Sequence, residues 1–449
     1  MGTTEKVARF VVDFDFSRLP ASGMEQIKIS VLDTLGTALL GAKGQIGAMM
    51  NDLIKETGGN PQARLIGSGI KTSVLNAALV NGTIAHADVY DTVPHCGVVL
   101  VSTALALGEQ LKLSGKKILE AYAVGFEVGQ KIGRNLGDVE FSGGFHTMSL
   151  VYTLGAAAEA AKLLGLDVDR TRAALGIAAS MASGIMQNFG TYTKPLHGGH
   201  AARSGILAAT LAKKGFTGDP DVLEAPRGFF YVFGHEQADV KRVTENLGHP
   251  LAIADAKLIV KRWPSCLAND PGLIAILGLI EQYDIKPEQV DAIEVVQAGK
   301  PPGTLIRIIP KTGYEGKYSL RYHLATALVD RKVDLSSYAD EKLSRPMIQD
   351  LMKKVTVVQD PEFVDLPLRL QPSPLVFDAV TITLRLKGGR VVSQREEHSM
   401  PLAGEEIYAK YRENARIGGL AANKIDRSIE LVKGLEHLKD VNELIDVVS

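Results

Sequence analysis

Cysteine is scarce in this chain, where Cys96 and Cys266 are the only two thiols among 449 residues. They stand far apart and outside any CxxC or Cys-His cluster, which argues against a disulfide framework or a thiolate zinc site and suits a reducing, cytoplasmic compartment. An excess of one charge is missing as well. Lysine and arginine together number 50 against 51 acidic residues, so no broad field draws nucleic acid or an anionic membrane, and a cationic site has to be built locally. Long apolar runs are also lacking. The most apolar internal stretches, Gly97 to Gly108 and Ala173 to Met186, fall short of the roughly 20 residues that cross a bilayer and read as buried helices. Arg9, Asp13, Asp15 and Arg18 interrupt the stretch from Met1 to Leu19, which therefore lacks the apolar core of a signal peptide. Such a neutral chain is expected to take a small molecule as its partner.

With 45% hydrophobic residues, the chain can fill one large core and a second domain, since single cores stop growing near roughly 250–300 residues. From about Met24 to Phe216 apolar residues recur at helical spacing. Ile27, Val31, Leu35 and Leu39 form one stripe, and Leu154, Ala158, Ala161 and Leu164 form another that ends at Gly165. The pattern changes after Lys261-Arg262-Trp263-Pro264. Segments 293–296, 355–358 and 380–386 alternate as half-buried strands do, and Gly388-Gly389 supplies a tight hairpin to a returning strand at Val391. Helical segments are expected at Pro271 to Tyr283, Ser319 to Asp330 and Ser344 to Lys354, and the chain turns helical again from about Ala403. The expected fold is therefore mainly α. Residues 1–262 and 403–449 would form a large all-helical domain from both chain ends, and residues 263–402 a smaller α+β domain with an antiparallel sheet.

Three clusters carry residue types suited to chemistry. The first, His86-Ala-Asp-Val-Tyr-Asp-Thr-Val-Pro-His95, gathers His86, Asp88, Asp91, Thr92 and His95, as proton transfer between groups with shifted pKa values requires. The same side chains could ligate a metal, although their spacing fits none of the common metalloenzyme signatures, so no metal is assigned. In the second, Ser142-Gly-Gly-Phe-His-Thr-Met-Ser149, a glycine-rich turn delivers His146 to a helix start near Leu150, where free amides favour a carboxylate. The third runs from Gly190 to Arg203 and places Lys194, His197, His200 and Arg203 before an alanine-rich helix, a dense cationic patch in a neutral chain.

Together these clusters resemble the MmgE/PrpD family, whose members include 2-methylcitrate dehydratase, cis-aconitate decarboxylase and iminodisuccinate epimerase. The matching pieces are His86 to Thr92, Gly144-Phe-His146, Gly190 to Gly199, Gly215-Phe-Thr-Gly218 and Lys317-Tyr-Ser-x-x-Tyr322, in the same order. The resemblance implies a helical domain, a smaller α+β lid, a site in the cleft between them, homodimers and no cofactor. It points to Asp88, Thr92, His95, His146, Lys194 and Tyr322 as active-site positions, with Lys261 and His197 nearby. Two departures stand out. Where the family reads Tyr-Pro-Cys-Cys and then a histidine, this chain has Trp263-Pro-Ser-Cys-Leu-Ala-Asn-Asp270, and His95 is followed by Cys96-Gly97 after a shortened stretch.

These residues predict a cofactor-free enzyme that abstracts a proton next to a carboxylate of a small polycarboxylic acid. His146 or Lys194 would be the base and Asp88 the orienter of a histidine. Lys261 or Arg262 would hold carboxylates together with Thr92 and His197, and Tyr322 would donate to the intermediate. A dehydratase needs an acid for the departing hydroxyl, and Asp270 in place of histidine removes one unless its carboxyl is buried with a raised pKa. On that ground an epimerase of a dicarboxylate such as iminodisuccinate is the leading expectation. A dehydratase or a cis-aconitate-type decarboxylase is the alternative. A metal-dependent hydrolase and a non-catalytic helical scaffold are more remote.

Overall fold

The computed structural model describes residues 1–139, 143–234, 238–297, 309–359 and 379–449. They divide into two units, one made of Met1–Met186, Tyr192–Val260 and Leu402–Ser449, the other of Gln187–Thr191 and Lys261–Pro401.

Helices build the first unit. Thr147–Leu163 packs against both Gly115–Asn135 and Thr193–Lys213, and the last of these also crosses Val74–Ala85. The predicted stripe Ile27, Val31, Leu35 and Leu39 is buried on the helix Ala21–Lys43, against which the late helix Glu405–Ile417 also packs. Small residues permit the close crossings. A Cβ added to Gly199 would lie 1.9 Å from the Leu79 carbonyl oxygen, so only glycine lets these two backbones meet. The unit is not entirely helical, because β1 (Ala63–Arg64) and β2 (Lys71–Thr72) form a short antiparallel ribbon. The apolar stretch to Met186 does not stay helical either. Val168–Ala179 ends before Ser183-Gly184, where Gly184 takes φ 120°, and the chain runs on to bridge Ile185 to Phe145. No described helix is long and apolar enough to cross a membrane.

The second unit has its own core, in which helices Asp270–Tyr283, Leu320–Asp330 and Pro346–Lys353 pack with a four-stranded sheet. The strands are β3 (Val290–Gln297), β4 (Val355–Gln359), β5 (Val380–Leu386) and β6 (Val391–Glu396), in the order β4-β3-β5-β6. The hairpin β5-β6 turns at Gly388 and Gly389, both at positive φ, and β3 pairs antiparallel with β5. The expectation of an antiparallel sheet is corrected at β4, which runs parallel to β3. The helices between these two strands carry the chain back to the same end of the sheet, as a parallel pair requires.

Candidate active site

The helix Val74–Ala85 begins on the side chain of Ser73, which accepts from the Asn76 amide, and ends with His86 as its C-cap. A tight turn follows. Val89 and His95 both take positive φ, 56° and 63°, and Val93 and Ile259 exchange backbone hydrogen bonds of 3.0 Å. A β-branched residue such as valine rarely adopts that left-handed conformation, so the surrounding packing must enforce the turn.

The turn folds His86 and His95 onto one carboxylate, Asp91. His86 Nδ1 lies 2.8 Å from Asp91 Oδ1, and His95 Nδ1 lies 2.6 Å from Oδ2. Burial drives the His86 pKa down to about 3 despite the pull of Asp91, so its ring is neutral. Burial alone would raise the Asp91 carboxyl, but its two imidazole partners outweigh that effect and hold it well below the usual range. An ionised carboxylate only accepts, so both rings present Nδ1–H to Asp91. The buried Nε2 of His86 then carries a lone pair, with no hydrogen-bond partner in the described structure. Asp91 thus orients both His86 and His95, and Asp88, for which such a part was expected, lies half-buried on the same turn.

Two more imidazoles come from other helices. His146 caps the helix Thr147–Leu163, three residues earlier than the expected start, and its amide donates to the Gly184 carbonyl at 3.0 Å. Its Nδ1 is 3.1 Å from Nδ1 of His197, and its ring stacks 6.1 Å from that of His86. Burial and then the charge of Lys194 lower both pKa values, that of His146 to well below the ordinary range and that of His197 to about 4. Lys194, His197, His200 and Arg203 do not precede a helix, as expected, but lie inside Thr193–Lys213. Lys194 and His197 are buried one turn apart, His200 is half-buried and Arg203 is exposed. Ser142 of the glycine-rich turn lies outside the described residues.

Thr92, expected to bind substrate, is held by a carboxylate of the protein itself. Its amide and hydroxyl donate to Asp33 Oδ2 at 2.8 and 2.7 Å, while Asp33 Oδ1 pairs with Lys410 at 2.8 Å. Sequence reasoning missed both Asp33 and Lys410, whose positions in apolar-patterned helices gave no local signal.

The remaining expected residues belong to the second unit. Lys261 is fully buried and donates to the Ser265 carbonyl at 3.1 Å, and Arg262 donates to Met400 at 3.2 Å. Tyr322 is buried in that unit's core and donates its hydroxyl proton to the Ser337 carbonyl. Beside Lys261 and Arg262, burial pushes the Asp270 carboxyl up to about 8 against the pull of both cations. Neither of its oxygens has a hydrogen-bond partner in the described structure. The case against a lyase assumed that Asp270 could not replace a lost acid. This carboxyl keeps its proton at neutral pH, so that objection falls.

A metal at His86, Asp91 and His95 would use ligand atoms that all lie within 4.8 Å of one another. Their contacts of 2.6 and 2.8 Å are hydrogen-bond lengths. Two ligands of a tetrahedral zinc with bonds of about 2.0 Å stand roughly 3.3 Å apart.

Neutral imidazoles, an ionised carboxylate and a buried lysine on one helical unit make a site for moving protons. The chain belongs to the MmgE/PrpD family, whose N-terminal domain matches residues 5–241 and C-terminal domain residues 263–436. Among its relatives is a cis-aconitate decarboxylase of Mus musculus, 28% identical over 465 residues, covering 98% of this chain and 92% of the relative. A second, from Homo sapiens, is 29% identical over 99% of this chain and 94% of its own. A third, from Aspergillus terreus, is 28% identical over 100% and 96%. The epimerase expectation finds no support in these relatives, whereas the lyase alternative does.

Proposed function

We propose that this protein is a cofactor-independent lyase that decarboxylates cis-aconitate or a closely similar unsaturated tricarboxylate. Similarity to cis-aconitate decarboxylases over at least 92% of each of the three relatives carries this reading. The chemistry is consistent with it. A carbon–carbon bond breaks, carbon dioxide leaves, and the electron pair spreads into the neighbouring unsaturated carboxylate until carbon takes one proton. No electron acceptor is needed. Lys194 supplies a buried positive charge for a substrate carboxylate. For that proton His95, held through Nδ1 by Asp91, enters as the imidazolium, gives its Nε2 proton to carbon and ends neutral, to be reprotonated from solvent.

Proton NMR in deuterium oxide with cis-aconitate, citrate, methylcitrate and iminodisuccinate stereoisomers tests the proposal. The expected result is loss of cis-aconitate, release of carbon dioxide and one deuterium on the product carbon. Interconversion of iminodisuccinate stereoisomers without loss of carbon dioxide would replace the lyase with an epimerase.

A further inference from the structure

Buried ion pairs contribute little net stability, because removing two charges from water offsets most of their attraction. One such pair lies directly behind the histidine turn. Asp33, on the helix Ala21–Lys43, and Lys410, on Glu405–Ile417, bring oxygen and nitrogen to 2.8 Å with both side chains 2% exposed. Each partner also holds the turn. Asp33 Oδ2 accepts from the Thr92 amide and hydroxyl. Lys410 donates to the Tyr90 carbonyl at 2.6 Å and sits 3.9 Å from the centre of the Tyr90 ring. Tyr90 and Thr92 are the two chain neighbours of Asp91, the carboxylate on which His86 and His95 meet.

We infer that Asp33 and Lys410 are positioning residues, which clasp the turn on either side of Asp91 and so fix the direction of the imidazoles it orients. Both act through the backbone and side chains of Tyr90 and Thr92. The pair suits this role because it draws on two helices from distant parts of the sequence and gives an acceptor to the Thr92 amide and hydroxyl and a donor to the Tyr90 carbonyl. A stabilising contact alone could be replaced by apolar packing. A clasp could not.

The test is the double variant Asp33→Asn/Lys410→Met, which removes both charges together and keeps an acceptor for Thr92. The expected outcome is a folded protein whose kcat falls about a hundredfold with KM within about twofold, as loss of alignment without loss of binding predicts. In the substrate-free protein, the histidine 15N spectrum should lose the fixed Nδ1–H tautomers. Lys410→Arg should keep most of the activity. Unchanged tautomers with kcat within about twofold would overturn the inference. Should the double variant fail to fold, Thr92→Val decides: it leaves the ion pair intact and removes one clasp bond, and unchanged histidine signals and kcat would again refute the clasp. Only the kinetic arm rests on the lyase reading. A wild-type protein inert towards every acid would sink that reading and leave the nitrogen spectra to judge the clasp.

Discussion

At the scale of single residues, the central group is Asp91, which accepts from two imidazoles at once. Asn in its place offers one acceptor and one donor, so one of the two rings must turn to present the wrong nitrogen. Asp91→Asn is therefore expected to lower kcat by about a hundredfold with little change in KM. Steady-state kinetics with the substrate found in deuterium oxide checks this, and an undiminished kcat would show that Asp91 orients nothing of consequence. The gathering of titratable residues between His86 and His95 was legible in the sequence, because so many within ten positions rarely serve only to cap a helix. Which carboxylate meets the histidines was not legible. That depends on the left-handed Val89, which redirects the chain between Asp88 and Asp91, and no residue preference foretells a valine there.

At the scale of elements, the crossing of Val74–Ala85 by Thr193–Lys213 brings the helix end at His86 towards the helix start bearing Lys194 and His197. Gly199→Ala would drive a methyl into the Leu79 carbonyl. The expected loss is about 1–3 kcal/mol of stability, read by denaturant unfolding, and an unchanged midpoint would mean that the helices can part without cost. Periodicity revealed most helices and all four strands of the larger sheet. It missed the start of Thr193–Lys213, because Pro195 and Gly198-Gly199 read as a loop. A first-turn proline costs a helix no hydrogen bond, and the glycines serve the crossing, two facts visible only with the neighbour in place. The parallel partner of β3 was hidden for a similar reason, since alternation marks a strand but does not name its neighbour.

At the scale of the whole molecule, buried ionisable groups give stability two opposing dependences on pH. His86, His197 and His323 have folded pKa values of about 3, 4 and 3 against an ordinary 6.5, burial being the main cause in each. The unfolded chain binds protons that the folded one refuses, so stability falls as pH drops below 6.5 towards 3. Asp270 has the reverse sign, because its folded carboxyl holds a proton up to about 8 that the unfolded chain releases above 3.8. Glu159, fully buried with neither oxygen partnered in the described structure, is raised in the same direction by burial. Stability therefore also falls as pH rises from 6.5 towards 8. Each unmatched proton contributes a slope of about 1.4 kcal/mol per pH unit. Thermal unfolding from pH 4 to 8 should trace a dome, and Asp270→Asn should flatten its alkaline side. A wild-type profile that is level from 6.5 to 8 would contradict the buried neutral acids. The clasp at the histidine turn has a consequence of another kind, because Lys410 reaches back over 320 residues to Tyr90. On a ribosome the turn emerges long before the lysine that secures it has been translated. However quickly the earlier helices collapse, the site matures only once the closing helix has been made.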